Sequence, residues 1–160
     1  MATAEIILPL LGGWKDLNSP PGTVWTDTTA YLTFDSTTDE LIAWSFRMPA
    51  NYASGLAVKW MFTMVSATSG VVATRSEVAS STVGDTPATI PFNTLEKSTD
   101  KTVPGVAGTM AEISHSLSSL GSLAAGHKFT IRLGRENGTT GTNALGDMAV
   151  WSVSLTYTTT

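Results

Sequence analysis

Glu40-Leu41-Ile42-Ala43-Trp44-Ser45-Phe46-Arg47-Met48 places Ile42, Trp44, Phe46 and Met48 at every second position. An extended chain points successive side chains to opposite faces, so this spacing reads as a strand with one apolar and one small or polar face. After Pro49-Ala50-Asn51-Tyr52-Ala53-Ser54-Gly55 the pattern resumes with Leu56, Val58, Trp60, Phe62 and Met64, and Lys59 and Thr63 fall on the other side. The two runs read as a hairpin that opens a β domain, built from residues that suit a pleated, half-buried surface.

Outward from this stretch the same period recurs. Ala30 to Phe34 reads as a short strand that reaches it through the polar turn Asp35-Ser36-Thr37-Thr38-Asp39. Downstream, Val71 to Ala79 alternates Val72, Thr74, Ser76 and Val78 against Val71, Ala73, Arg75 and Glu77. Thr109 to Ser118 puts Ala111, Ile113, His115 and Leu117 on one face, and Lys128 to Gly134 puts Phe129, Ile131 and Leu133 there. Ala149 to Tyr157 closes the series with Ala149, Trp151, Val153, Leu155 and Tyr157. About eight strands separated by turn signals, with no long helical period, predict an all-β fold, an antiparallel β-sandwich of jelly-roll type. Between them Ser80 to Gly108 reads as a long loop broken by Pro87, Pro91 and Pro104, and loops of that length often meet a partner.

Residues 1–29 carry Pro9, Gly12, Gly13, Pro20, Pro21 and Gly22, which break the segment into short extended pieces. It divides from residues 30–160 as an extended N-terminal arm. On one reading Ile6, Ile7, Leu8, Leu10, Leu11 and Trp14 contact a partner by strand addition. On the other, Ile6 to Leu8 form the first strand of the domain itself.

Composition limits the function classes. A chain of 160 residues without cysteine holds one core without disulfides or a cysteine-ligated zinc. Net charge is −4, and the basic residues stand singly, which disfavours nucleic acid. No run of about 18 apolar residues is present to cross a membrane as a helix, and the N-terminal segment, with Glu5 and Pro9, makes a poor signal peptide. Charged residues are 14% of the chain against roughly 25% in an average domain, as suits a surface covered by neighbours.

Chemistry is sparse. There is no Gly-x-Ser-x-Gly elbow, phosphate loop or His-Glu-x-x-His helix. Asp35, Asp39 and Glu40 lack the alternating ligands and central Gly of a calcium loop. His115, a lone His on an apolar face, reads as a hydrogen-bonded core or rim residue. The Asn137-Gly138-Thr139 triplet has meaning only in a secretory pathway. No enzyme, cofactor or metal site is expected. Among the five Trp, Trp44, Trp60 and Trp151 share faces with core residues, which leaves Trp14 and Trp25, flanking the Asn18 to Gly22 turn, free to stack on a sugar, although packing that anchors the arm is the commoner use of such residues.

Asp35, the run Asp39 to Pro49, Asn51-Tyr52, Gly55 and Val58-Lys59-Trp60, together with Phe129 to Arg135 and Gly146 to Tyr157, resemble small β-sandwich virion structural proteins of tailed bacteriophages. The likeness spans about residues 30–157. It implies a non-enzymatic capsid cement or decoration protein on the outer head shell, with the major capsid protein as partner and a homotrimer as assembly. The alternative is a tail-fibre or receptor-binding module that recognises host surface glycans.

Overall fold

Twelve strands and two single 3-10 turns, Leu10–Gly12 and Pro87–Thr89, account for the regular structure of the computed structural model, which describes residues 1–160; the strands are β1 (Thr3–Leu8), β2 (Trp14–Lys15), β3 (Gly22–Trp25), β4 (Ala30–Phe34), β5 (Leu41–Arg47), β6 (Tyr52–Met64), β7 (Val71–Ser81), β8 (Glu96–Lys97), β9 (Lys101–Thr102), β10 (Ala111–Ser116), β11 (Lys128–Glu136) and β12 (Met148–Thr159). They form two antiparallel sheets. The first runs β10-β6-β12-β4-β3, with β1 also on β12; the second runs β2-β5-β11-β7-β8, with β9 also on β7. The chain is therefore all-β, an antiparallel sandwich of jelly-roll type.

The alternation that predicts the strands also fills the space between the sheets. Leu56, Val58, Trp60, Phe62 and Met64 of β6 are all buried, and they face Ile42 and Trp44 of β5 and Phe129, Ile131 and Leu133 of β11. Phe34 meets Trp60 edge-on at 5.5 Å between ring centroids, a favourable aromatic geometry. On β7 the inward residues are Val72, Thr74, Ser76 and Val78, as the spacing predicts.

Three expectations change. The stretch 40–65 is not a hairpin, because β5 pairs with β11 and β2 while β6 pairs with β12 and β10. Its two apolar faces look at each other across the core instead of lying edge to edge, and period two is satisfied equally by either arrangement. Secondly, Trp151 lies outside the core. The β6–β12 register slips between Val150 and Ser152, and this bulge reverses the alternation, so that Val150 and Val153 are both buried. Trp151 instead stacks at 4.4 Å on Tyr31, and its indole N–H donates to Thr63 Oγ1 at 3.0 Å. The third change concerns β11, which runs two residues past the expected end, turning Arg135 inward to full burial.

Residues 1–29 are extended, yet they belong to the sandwich and do not form a separate unit. β1 pairs with β12 from Thr3↔Thr158 to Leu8↔Val153, β2 with β5, and β3 with β4. Prolines and glycines stop helices and long strands, but short extended pieces still pair at an edge. Trp44 anchors the segment by donating from its indole N–H to the Pro9 carbonyl at 2.9 Å. The ends of the chain also meet, since Thr159 N–H donates to the Ala2 carbonyl at 2.9 Å.

Polar ties span the two open sides of the sandwich. On one side Lys15 of β2 reaches into the other sheet, donating to the Pro21 carbonyl at 2.6 Å and to Thr23 Oγ1. On the other, His115 of β10 bonds through Nε2 to Ser76 of β7 at 2.8 Å, hydrogen-bonded as expected for it.

Candidate functional site

The outer face of the second sheet carries the most chemically structured surface of the molecule. Inward residues on β5 and β11 take the even and odd positions respectively, so Ala43 and Arg132 must point outward, and they are cross-strand partners. Arg132 in turn pairs with Glu77 of β7, and Ala43 with Trp14 of β2. One row across four strands therefore reads Trp14, Ala43, Arg132, Glu77. The small Ala43 leaves a depression between the indole and the guanidinium.

Arg132 is held from two directions. Its Nε donates to Glu77 Oε2 at 2.6 Å and its Nη2 lies 2.5 Å from the same oxygen. Phe92 covers the guanidinium from above, 4.4 Å from ring centroid to Cζ, in cation–π geometry. Phe92 is brought there because Asn93 N–H donates to the Val78 carbonyl at 2.7 Å, which lays this part of the long loop along the β7 edge. Trp14, Asp16, Leu17, Ala43, Phe92 and Arg132 line a groove of about 280 Å³. Trp14 is 67% exposed, an unusual state for an indole that no internal packing explains. Asp16 accepts from Asn18 N–H and Ser19 N–H. Those two bonds, with help from the Arg132 charge, hold its carboxyl below the usual range, so it is an acceptor at neutral pH.

A flat sheet face that presents an open indole beside a fixed guanidinium–carboxylate pair suits a ligand with apolar faces and a polar rim. The indole supplies stacking area, while Arg132, Glu77 and Asp16 supply directional donors and acceptors.

The predicted partner-binding residues divide in two. Leu8 is buried, and Ile6 and Leu10 pack against the core; these three serve the chain's own sandwich, Ile6 and Leu8 because alternation along β1 sends them inward and Leu10 from the single 3-10 turn Leu10–Gly12 that follows. Ile7, Leu11 and Trp14 remain exposed. Ile7 and Leu11 border a second groove of about 610 Å³ with Pro9, Trp25 and Trp151. It lies at the notch where the edge of β12 passes from pairing with β4, at Val150, to pairing with β1, at Val153. Trp25 is 71% exposed there, so the two Trp read as free in the sequence are both at the surface, on different parts of it. The acidic turn residues have separate partners: Asp35 accepts from Thr37 and Thr38, Asp39 pairs with Arg75, and Glu40 accepts from Asp35 N–H.

Phe92, Arg132 and Glu77 were not singled out by the sequence as site residues. The signal was present only in part, as outward positions on two predicted strands, and their pairing register is a tertiary property.

No protein-family model matches the chain, and no curated protein matches it in sequence. Solved structures do match in shape. A family 35 carbohydrate binding module from Clostridium thermocellum superposes with a TM-score of 0.54 at 15% identity, over 95% of this chain and 97% of that one. The CBM36-1 domain of a multidomain xylanase from the hindgut metagenome of Trinervitermes trinervoides gives 0.50 at 11% identity, over 95% and 96%. At these identities the likeness is one of fold.

Proposed function

We propose that this chain is a non-catalytic glycan-binding module whose ligand lies across the outer face of the second sheet. The observation that carries the reading is the row Trp14, Ala43, Arg132, Glu77, with its indole exposed and its guanidinium fixed. Trp14 and Phe92 act as apolar platforms for sugar rings, and Arg132, Glu77 and Asp16 hydrogen-bond hydroxyls at their rims. The shape shared with carbohydrate-binding modules supports the assignment. The resemblance to tailed-phage virion proteins supports the setting: a receptor-binding part of a virion that recognises host surface glycans.

The experiment is a glycan array followed by titration of the best ligand. Trp14→Ala is expected to weaken binding at least tenfold, about 1.4 kcal/mol, without changing the melting temperature. Silence of the array, or a Trp14→Ala variant that binds as well as the parent, would count against the proposal.

One observation favours a second role as a capsid cement protein. Ile7, Leu11 and Trp25 leave an apolar notch open at the surface, and contiguous apolar surface of this kind marks protein contacts. Electron cryo-microscopy of the particle decides between the two, by density over capsid-subunit joints with the notch covered, or density at the tail tip with the Trp14 face outward.

A further inference from the structure

Two more rows lie on the same face beyond the Trp14 row. Ser45 pairs with Thr130, and their hydroxyls are 3.0 Å apart. One step further along the face Arg47 pairs with Lys128, which itself pairs with Ser81. Like charges directly opposed on neighbouring strands disfavour the pairing, so this position has an electrostatic cost that nothing in the fold relieves. The ion pairs of the molecule are Arg75–Asp39, Lys97–Glu136 and Arg132–Glu77, and neither Arg47 nor Lys128 has a carboxylate partner. The acid of the adjacent loop, Asp85, accepts from Thr82 N–H at 2.7 Å. Arg47 is also held in place, its Nε donating to the Gly126 carbonyl at 2.9 Å, which leaves its terminal nitrogens free. Together with Ser45, Ser81 and Thr82 these cations line a groove of about 490 Å³.

In a chain of net charge −4, an uncompensated pair of cations, Arg47 held in place beside Lys128 and with hydroxyls around them, has the character of a site for an anionic group. Position adds to this. From Ala43 to Arg47 is four residues of strand, roughly 13 Å, so a single oligosaccharide seated on Trp14 extends over the pair. We propose that this end of the face is an anion subsite, and that the glycan carries carboxylate or sulfate groups bound between Arg47 and Lys128. The inference rests on the glycan reading of the Trp14 end.

The test uses matched probes: polygalacturonate against its methyl ester, and dextran sulfate against dextran, each titrated in 50 and 300 mM NaCl. The parent protein is expected to bind at least one acidic probe about tenfold more tightly than its neutral counterpart, with the preference shrinking at high salt; which acidic probe wins separates carboxylate from sulfate. Arg47→Gln with Lys128→Gln is expected to abolish that preference while leaving neutral-glycan binding unchanged, and to hold or slightly raise the melting temperature, since the opposed like charges are removed. Equal binding of acidic and neutral probes, or a preference that survives the double substitution, overturns the subsite. In that event binding still lost on Trp14→Ala leaves the glycan reading standing. No binding to any probe or to the array overturns both.

Discussion

At the residue scale, the five Trp show how one side chain serves opposite purposes by position. Trp60 is fully buried between the sheets and Trp14 is two-thirds exposed, so truncation separates stability from binding. Trp60→Ala is expected to cost about 3–5 kcal/mol, as removal of a large core side chain does. Trp14→Ala is expected to stay within about 0.5 kcal/mol; chemical denaturation of the two variants checks both. Alternation identified Trp60 as core, but it says nothing of Trp14, for which the sequence favours packing over an open surface position. Alternation failed for Trp151, because a single-residue bulge leaves no mark in composition. Arg135 is the other residue that differs from expectation, because it lies past the strand end expected at Gly134 yet continues β11. Its guanidinium donates to the carbonyls of Gly146 at 2.6 Å and of Ala144 and to Asn143 Oδ1 at 3.1 Å. It thereby fixes the 143–146 loop against β4. Arg135→Ala leaves several of these acceptors unpaired and is expected to destabilise the fold by about 3 kcal/mol, measured by urea denaturation.

At the element scale, β1 is the part whose role the sequence could not assign. Both readings of the first segment were open because strand pairing with one's own sheet and with a neighbour's use the same extended conformation. Leu8 settles it by being buried against Val153. Deletion of residues 1–8 is expected to cost at least about 3 kcal/mol, since it removes a buried Leu and exposes the β12 edge; a truncate with an unchanged denaturation midpoint would show that β1 contributes nothing. The His115–Ser76 tie carries a pH signature. Burial lowers the His115 pKa below its ordinary 6.5, so as pH falls through 6.5 the unfolded chain takes up a proton that the folded chain resists. Stability is therefore lost progressively from about pH 6.5 down to the folded pKa. A second loss follows in more acid solution from Glu136. Burial alone would raise its pKa, but its bonds with Lys97 and the Gly138 N–H hold it below 4.5, so its contribution is present above 4.5 and disappears as pH falls through the folded value. Thermal melts from pH 7.5 to 3.5 are expected to show both steps, and His115→Gln to remove the first.

At the scale of the whole molecule, fold class was legible and topology was not, and the reason is the same for both. Period-two apolar patterns at β5, β6, β7, β11 and β12 require strands with one buried face, and several such strands can only bury those faces by layering two sheets. Which strand lies beside which depends on connections such as Met48 to Asn51, which crosses from one sheet to the other, and nothing in that tetrapeptide distinguishes a crossing from a tight turn. The binding face inherits this limit: Trp14, Arg132 and Glu77 are far apart in the chain and become neighbours only once β2, β5, β11 and β7 take that order.

The meeting of Ala2 with Thr159 has a practical meaning for how the protein can be presented. Both ends leave from the first sheet, and the Trp14 face belongs to the second. A support, label or fused domain attached at either end therefore joins the sheet opposite the Trp14 row, and it leaves the molecule at the end of the sandwich where Thr160 N–H donates to the Asn51 carbonyl at 3.0 Å. The same adjacency allows the ends to be ligated by a short Gly-Ser bridge and the chain reopened in the exposed Thr82–Thr89 segment. Such a circular permutant is expected to keep the parent's strand content and core, and the new termini, placed beside the face, would make a convenient position for an environment-sensitive dye that reports ligand arrival.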